Sequence, residues 1–379
     1  MPKNRPNIPQ KIKTKLWMAS GGRCQFDGCN KQLWKDSLDY KEMNHAHIAH
    51  IYGWAEKSAR YELPYSKDLA SDFSNLMLLC GTHHDRIDKP ATRDEYSSSR
   101  LMKMKQQHEQ RITFLTSLTK DKRSHVVLFG SRIGKHESPL RFEKALDAIL
   151  PHFYPNSEIP IVLGISNFSL EDSDDRYWET QEENLNSLFS QKIESLKGNH
   201  EVQHFSIFGL APQPLLIKLG VLLNDIYSAE VYQLHREPST WSWLDSDESV
   251  EYSLLQPKSI DKIVALKLEL SATIIDERIT SVLDVACSIW SITHDDPHPD
   301  FLKTKTDLSG FRDTMRKTFN KIKAIHGQEV VINVFPAMPV SAAIELGRVW
   351  MPKSDLPMII YDHNYKRDGF YKTISISNL

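Results

Sequence analysis

The pattern of apolar and polar positions changes character near residue 120. Ile12, Leu16 and Ala19 recur at helical spacing over residues 8–20, and Gly21-Gly22 ends the run, which predicts a helix. Residues 23–90 have little periodicity and are rich in Cys, His, Asp and Asn. A second stripe, Leu101, Met104, His108, Ile112 and Leu115, predicts a helix over 94–118. Thr119–Ser124 is polar and charged and reads as a linker. Behind it, short apolar runs at 126–129, 160–165, 203–208, 230–234, 262–270, 285–290, 329–335 and 357–361 read as strands. They alternate with amphipathic stretches, the pattern of an α/β domain.

That rear region repeats itself weakly. FGLAPQPLLIKLG begins at Phe208 and FPAMPVSAAIELG begins at Phe335, 127 residues later. Phe208/Phe335, Pro212/Pro339, Ile217/Ile344, Leu219/Leu346 and Gly220/Gly347 coincide without a gap. Each copy follows a strand, opens a helix and leads to a strand ending near Tyr232 or Tyr361. Two unrelated βαβ units would share some of this, because proline is common at helix starts. The domain-sized spacing favours duplication.

Composition sets bounds. With 379 residues, 40% hydrophobic and 25% charged, the chain has ordinary globular content and room for two or three domains. Four cysteines are too few for a disulfide scaffold, and no signal-peptide pattern is present, so a reducing cytoplasm is expected. The longest run without Asp, Glu, Lys or Arg is 202–217, and it holds His204, Pro212 and Pro214. It is a poor membrane span, and no membrane partner is expected. The net charge of -2 hides an asymmetry. Residues 1–123 hold 22 Lys+Arg and 14 Asp+Glu, a net of +8, and residues 124–379 hold 25 and 35, a net of -10. The basic front suggests a polyanion partner, and the acidic back argues against wrapping DNA.

The front region also carries metal-type spacing. Cys24 and Cys29 are separated by four residues, and Cys80 and His83 by two. Two close pairs of thiol and imidazole donors suit tetrahedral Zn²⁺ in a structural role. Cys287 lies in an apolar run and reads as a buried hydrophobe. Beside the metal-type pairs stand NHAHIAHI at 44–51 and NLMLLCGTHHDRID at 75–88. Together these segments resemble the HNH, or ββα-metal, nuclease motif. The resemblance makes His50 the general base, Asn75 the amide that orients its imidazole, and His84 the ligand of a catalytic divalent ion, Mg²⁺ or similar. The chemistry is consistent: an imidazole accepts a water proton near neutral pH, and a divalent ion stabilises the phosphate and the leaving oxygen. Many family members carry Asp or His where this chain has Ala49. His47 could supply a second ligand, although three positions from His50 it faces the other way unless the strand bulges. Asp88 is expected to make a structural contact. Lys11, Lys13, Lys15, Arg23, Lys31, Lys35, Lys103 and Lys105 are candidate phosphate contacts, with no sign of base readout.

In the rear region, the units at 203–226 and 330–350 put helix N-termini beside strand C-termini, where α/β folds collect nucleotides. HREPSTWSWLDSDE follows, with Trp241 and Trp243 as surface anchors or base-stacking platforms. GSRIGK at 130–135 is one residue short of a P-loop, with His136 in place of Ser or Thr, and is rejected. The FGLAPQP/FPAMPVS pair, the YQLHRE/YDHNYK strand ends and the WSW segment resemble the SAVED domain, a pair of fused CARF-like Rossmann units. That resemblance implies a sensor of cyclic di- or trinucleotides. Gln213, Lys218, Tyr232, Arg236, Trp241, Trp243 and Ser341 are its ligand candidates by position.

The expectation is therefore an α+β zinc-containing ββα-metal (HNH) domain over 1–118, a linker over 119–124 and an α/β sensor of two Rossmann-like units over 125–379. HNH followed by SAVED resembles the nuclease effectors of bacterial CBASS anti-phage systems. It implies a double-stranded DNA endonuclease activated by a cyclic oligonucleotide, with ligand-promoted homo-oligomerisation. Two alternatives stand beside it. One is a restriction-type HNH nuclease recognising modified DNA, which the acidic rear disfavours. The other is a non-catalytic zinc DNA-binding module tethered to a sensor, which would not need His50 and His84 together.

Overall fold

The computed structural model describes residues 7–377 except 36–40, 135–139, 151, 166–169, 199–201 and 247. Lys135 and His136 of the rejected P-loop segment lie outside the described residues. The chain divides into two units at Thr119/Lys120. Arg123 and Ser124, read as linker, already open the first strand of the second unit. Among the described residues no helix is long and apolar enough to cross a membrane.

In the first unit α1 (Gln10–Ala19) buries Leu16 completely, as its stripe predicts. Strand β1 (Ala46–His50) leads through a loop that contains α2 (Tyr65–Asp68) to β2 (Leu76–Cys80). The two strands pair antiparallel in unbroken register, Ala46 opposite Cys80 and His50 opposite Leu76. Helix α3 (Gly81–Asp88) follows β2 with no intervening residue. Every residue of β2 is buried, so it lacks the two-residue alternation that marks a strand with one solvated face. Helix α4 (Ser98–Thr116) starts later than expected, at Ser97, whose hydroxyl accepts from the Arg100 N–H. It buries Leu101 and Met104, while Leu115 at the far end of the stripe is exposed.

The second unit contains two parallel sheets wound alike. The first is built from β3 (Arg123–Gly130), α5 (Phe142–Ile149), β4 (Tyr154–Pro155), β5 (Ile161–Val162), α6 (Asp175–Lys192), β6 (His204–Leu210), α7 (Gln213–Leu223) and β7 (Ser228–Val231). Its strands run β5-β3-β6-β7, with β4 beside the start of β3. After β8 (Ser253–Leu255), the second is built from β9 (Ile263–Glu269), α8 (Asp276–Leu283), β10 (Cys287–Thr293), α9 (Lys305–His326), β11 (Ile332–Ala337), α10 (Val340–Val349), β12 (Met358–Asn364) and β13 (Gly369–Ile376). Its parallel core runs β10-β9-β11-β12, edged by antiparallel β8 and β13. In both sheets the second strand flanks the first on one side, and the third and fourth follow on the other. This is the duplication the repeat predicts.

Side chains repeat with the topology. Phe208 stacks on Tyr232 with ring centroids 4.5 Å apart, and Phe335 stacks on Tyr361 at 4.5 Å. Gly220 and Gly347 let α7 and α10 touch backbone to backbone. A Cβ on Gly220 would lie 1.9 Å from the Ile344 carbonyl oxygen, and one on Gly347 would lie 2.0 Å from that of Ile217.

Candidate functional site

Four donors converge in the first unit. Cys24 and Cys29 flank a turn in which Gly28 takes φ +75°. Cys80 ends β2, and His83 lies in the first turn of α3. Their donor atoms all lie within 4.8 Å of one another. His83 Nδ1 is 3.2 Å from Cys80 Sγ and 3.8 Å from Cys24 Sγ. With metal–sulfur bonds of about 2.3 Å, tetrahedral ligands stand roughly 3.8 Å apart, so the set fits a tetrahedral ion. Phe26 stacks on the His83 ring at 4.0 Å, which fixes the imidazole plane. Burial pushes the Cys24 thiol up to about 12.

A second histidine group flanks the first. The register of β1 is regular, so His47 and His50 occupy opposite faces, and no bulge is present. The exposed His47 nevertheless meets His84, with ring centroids 5.1 Å apart. His84 Nδ1 is 3.9 Å from Asp85 Oδ1. His50 is buried, and its Nε2 lies 2.9 Å from the Ala70 carbonyl oxygen. A carbonyl only accepts, so Nε2 carries the hydrogen and Nδ1 carries the basic lone pair.

Asn75 does not orient that imidazole as expected. It is buried, its Oδ1 accepts from the Tyr52 N–H at 2.6 Å, and its Nδ2 donates to the Tyr52 and Leu69 carbonyls at 3.2 Å each. It therefore holds the backbone just beyond His50. Lys105 is likewise no phosphate contact. It is buried, pairs with Glu109 and sits 3.7 Å over the Phe73 ring. Lys15 covers the same ring at 4.2 Å, and Arg23 donates to the Asn30 carbonyl. Lys11, Lys31 and Lys103 are exposed. Arg60, which sequence reasoning passed over, pairs with Asp88 at 2.7 Å, so Asp88 makes the structural contact expected of it.

In the second unit the two copies are laced together where α7 and α10 begin. Gln213 Oε1 accepts from the Met338 N–H, and the fully buried Ser341 donates its hydroxyl to Gln233 Oε1 at 2.7 Å. Lys218 pairs with Glu182 on α6 at 2.8 Å. Tyr232 lies against Phe208, and Trp241 packs edge-on to the same ring at 5.3 Å. Arg236 is exposed, its N–H donating to Asp300 Oδ1. Trp243 is half-buried and borders a cleft of about 560 Å³ with His152, Thr304, Lys305 and Asp307. Its ring lies 6.0 Å from that of His235. His235 is buried, and among the described residues neither of its ring nitrogens has a hydrogen-bond partner. Burial lowers its pKa. Gln233 and Asp300 could not be singled out from sequence, because Gln233 meets Ser341 and Asp300 meets Arg236 across long sequence separations, and His235 stands out only through its burial.

The profile of the SMODS-associated and fused to various effectors sensor domain, SAVED, matches residues 185–376. The chain belongs to the SAVED family. The matched SAVED segment begins inside α6, whereas the first Rossmann-like copy of the unit starts at β3. Among solved structures, the chain is similar to the Acinetobacter baumannii Cap4 SAVED/CARF-domain containing receptor with the cyclic trinucleotide 2'3'3'-cAAA. That match has 10% identity and TM-score 0.44, covering 84% of this chain and 67% of that one. The same receptor with 3'3'3'-cAAA gives 11% and 0.43, covering 74% and 62%. The Moraxella osloensis Cap4 receptor gives 8% and 0.39, covering 84% and 66%. The chain thus spans about two thirds of the length of these receptors. No curated protein matches it.

Proposed function

We propose that this chain is a metal-dependent double-stranded DNA endonuclease of the HNH type. Its SAVED unit senses a cyclic di- or trinucleotide, and it acts as an effector of bacterial CBASS anti-phage defence in the cytoplasm. The observation that carries the nuclease half is the β1–β2–α3 unit, in which α3 brings His84 against His47 directly after the Cys24, Cys29, Cys80 and His83 cluster. Cys24, Cys29, Cys80 and His83 would hold a structural Zn²⁺, since three thiolates and an imidazole suit that ion. His50, with Nε2–H held by Ala70, takes the proton of the attacking water on Nδ1. His84, with His47 beside it, would hold Mg²⁺ or a similar ion, which supplies charge stabilisation to the phosphate and the leaving 3′ oxygen. Asn75 keeps the backbone beyond His50 in place.

Membership of the SAVED family supports the sensor half, together with the cleft beside Trp243. The ligand switches the enzyme by binding the active arrangement more tightly than the resting one, and that arrangement is a homo-oligomer. The test is cleavage of unmodified plasmid with Mg²⁺ and a panel of cyclic di- and trinucleotides including 2'3'3'-cAAA and 3'3'3'-cAAA, beside His50→Ala. Cutting that needs one panel member and His50 is the expected result. Cutting without any of them points to a restriction-type enzyme. Tight DNA binding without cutting points to a zinc DNA-binding module.

A further inference from the structure

We infer that Arg60 is a positioning residue, a clamp that ties the His50 end of β1 to the last turn of the helix carrying His84. Its guanidinium reaches both elements at once. Nε donates to the Ile51 carbonyl at 2.9 Å, and Nη2 lies 3.4 Å from the His50 carbonyl. On the helix side, Nη1 donates to the Ile87 carbonyl at 2.7 Å and Nη2 to Asp88 Oδ1 at 2.7 Å. Ile87 and Asp88 are the last residues of α3. The planar fork of donors matches three carbonyls and a carboxylate, a set that a lysine ammonium cannot span.

The surroundings are built for this contact. The Arg60 side chain is 7% exposed, so the guanidinium is largely removed from water and depends on these acceptors. Its backbone takes φ +60°, a left-handed conformation that a long side chain rarely adopts. Its own carbonyl accepts from the Gly53 N–H at 3.2 Å, closing the loop back onto the strand it leaves. A Cβ at Gly53 would lie 2.3 Å from the Ala59 carbonyl oxygen, so the loop approaches more closely than any other residue allows. Strained backbone at a site held by many bonds is a mark of function. Asn75 bonds both the N–H and the carbonyl of Tyr52, so Arg60 and Asn75 together hold the backbone of residues 50–52.

The inference rests on the nuclease reading, and its test separates the two. Full-length Arg60→Lys and Asp88→Asn are compared with wild type and His50→Ala in plasmid cleavage with Mg²⁺ and the same cyclic-nucleotide panel. DNA affinity is measured with Ca²⁺ in place of Mg²⁺. Amide exchange is followed over 46–52 and 81–88. Mispositioning on the ångström scale costs a reaction up to about a hundredfold. Arg60→Lys should therefore lower kcat roughly ten- to a hundredfold, with DNA affinity within about twofold of wild type. Asp88→Asn, which keeps an acceptor in place, should lose less. Exchange should quicken in the two clamped segments and stay unchanged in α1 and α4. Wild-type cleavage by both variants overturns the clamp, and so does exchange that quickens throughout the unit. If wild type does not cut, or His50→Ala cuts equally well, the nuclease reading falls. The clamp is then decided by exchange alone: local quickening in both segments upholds it, and none overturns it.

Discussion

Gly220 on α7 and Gly347 on α10 lie back to back. A Cβ on Gly220 would fall 2.9 Å from the Gly347 Cα, and one on Gly347 would fall 2.8 Å from the Gly220 Cα. The closest obstacles are carbonyl oxygens, which cannot rotate aside as a side chain can. Gly347→Ala must therefore part the helices along buried surface that includes Ile217, Leu219, Ile344 and Leu346. Overpacking of this kind costs about 1–3 kcal/mol, and a backbone obstacle puts it at the upper end. Urea unfolding followed by tryptophan fluorescence should show each single variant losing about 3 kcal/mol. The double variant should lose less than the sum, because the first alanine has already opened the crossing. Full additivity would mean that the two glycines do not share one contact.

The repeat was readable because both copies keep the same residues at that crossing, and strand existence followed from apolar runs ended by turns. Edge strands β8 and β13 were not readable, since each owes its identity to an antiparallel neighbour distant in sequence. The same limit applied to the site. Cys24, Cys29, Cys80 and His83 declare themselves by spacing, and the structure brings them together. The meeting of His47 with His84 was not readable from β1 alone, because it depends on how α3 leaves β2. Asn75 and Lys105 were misread for one reason. Residue type gives what a side chain can bond, and burial decides what it does bond.

Removing the proposed zinc should unfold the first unit before the second. The four-donor cluster joins the Cys24–Cys29 turn, β2 and α3, and the surrounding core is small. Thiol titration with a disulfide reagent checks this. Cys24, Cys29 and Cys80 should become reactive on adding a strong chelator, while the buried Cys287 stays slow. Cys80→Ser should mimic the chelator, because a hydroxyl is a poor ligand for zinc. Equal reactivity with and without chelator would remove the metal from the account.

Asn75→Asp distinguishes a backbone clamp from an imidazole partner. The aspartate still accepts from the Tyr52 N–H, but its second oxygen confronts the Tyr52 and Leu69 carbonyls, which now receive a donor. Protonation restores the donor, so the folded pKa lies above the unfolded value near 3.9. A raised carboxyl pKa contributes stability that is present at low pH and lost as pH rises through it. The variant should therefore be closer to wild type at pH 5 than at pH 8, where it loses about 1–3 kcal/mol. An equal deficit at both pH values would reject this role for Asn75.

A carboxyl pair gives the second unit its own pH dependence. Asp172 is already committed as an acceptor, with Oδ1 taking the Asn364 amide at 2.9 Å and Oδ2 the Gly134 N–H at 2.8 Å. Its carbonyl accepts from Tyr371 Oη at 2.6 Å and from Trp178 Nε1 at 3.1 Å, so the whole segment is pinned. Asp362 on β12 therefore takes the proton. Burial, with the Asp172 carboxylate adding to it, raises Asp362 from 3.8 to about 7. The unfolded chain releases that proton near pH 4 and the folded chain near pH 7, so this group removes stability as pH climbs between them. Asp362→Asn stays neutral throughout and keeps the side chain's shape. Relative to wild type it should gain stability from pH 5 to pH 8, read as a rising difference in urea midpoint. Parallel profiles for the two proteins would show that Asp362 is ionised in the folded state and that the pair is held apart by solvent.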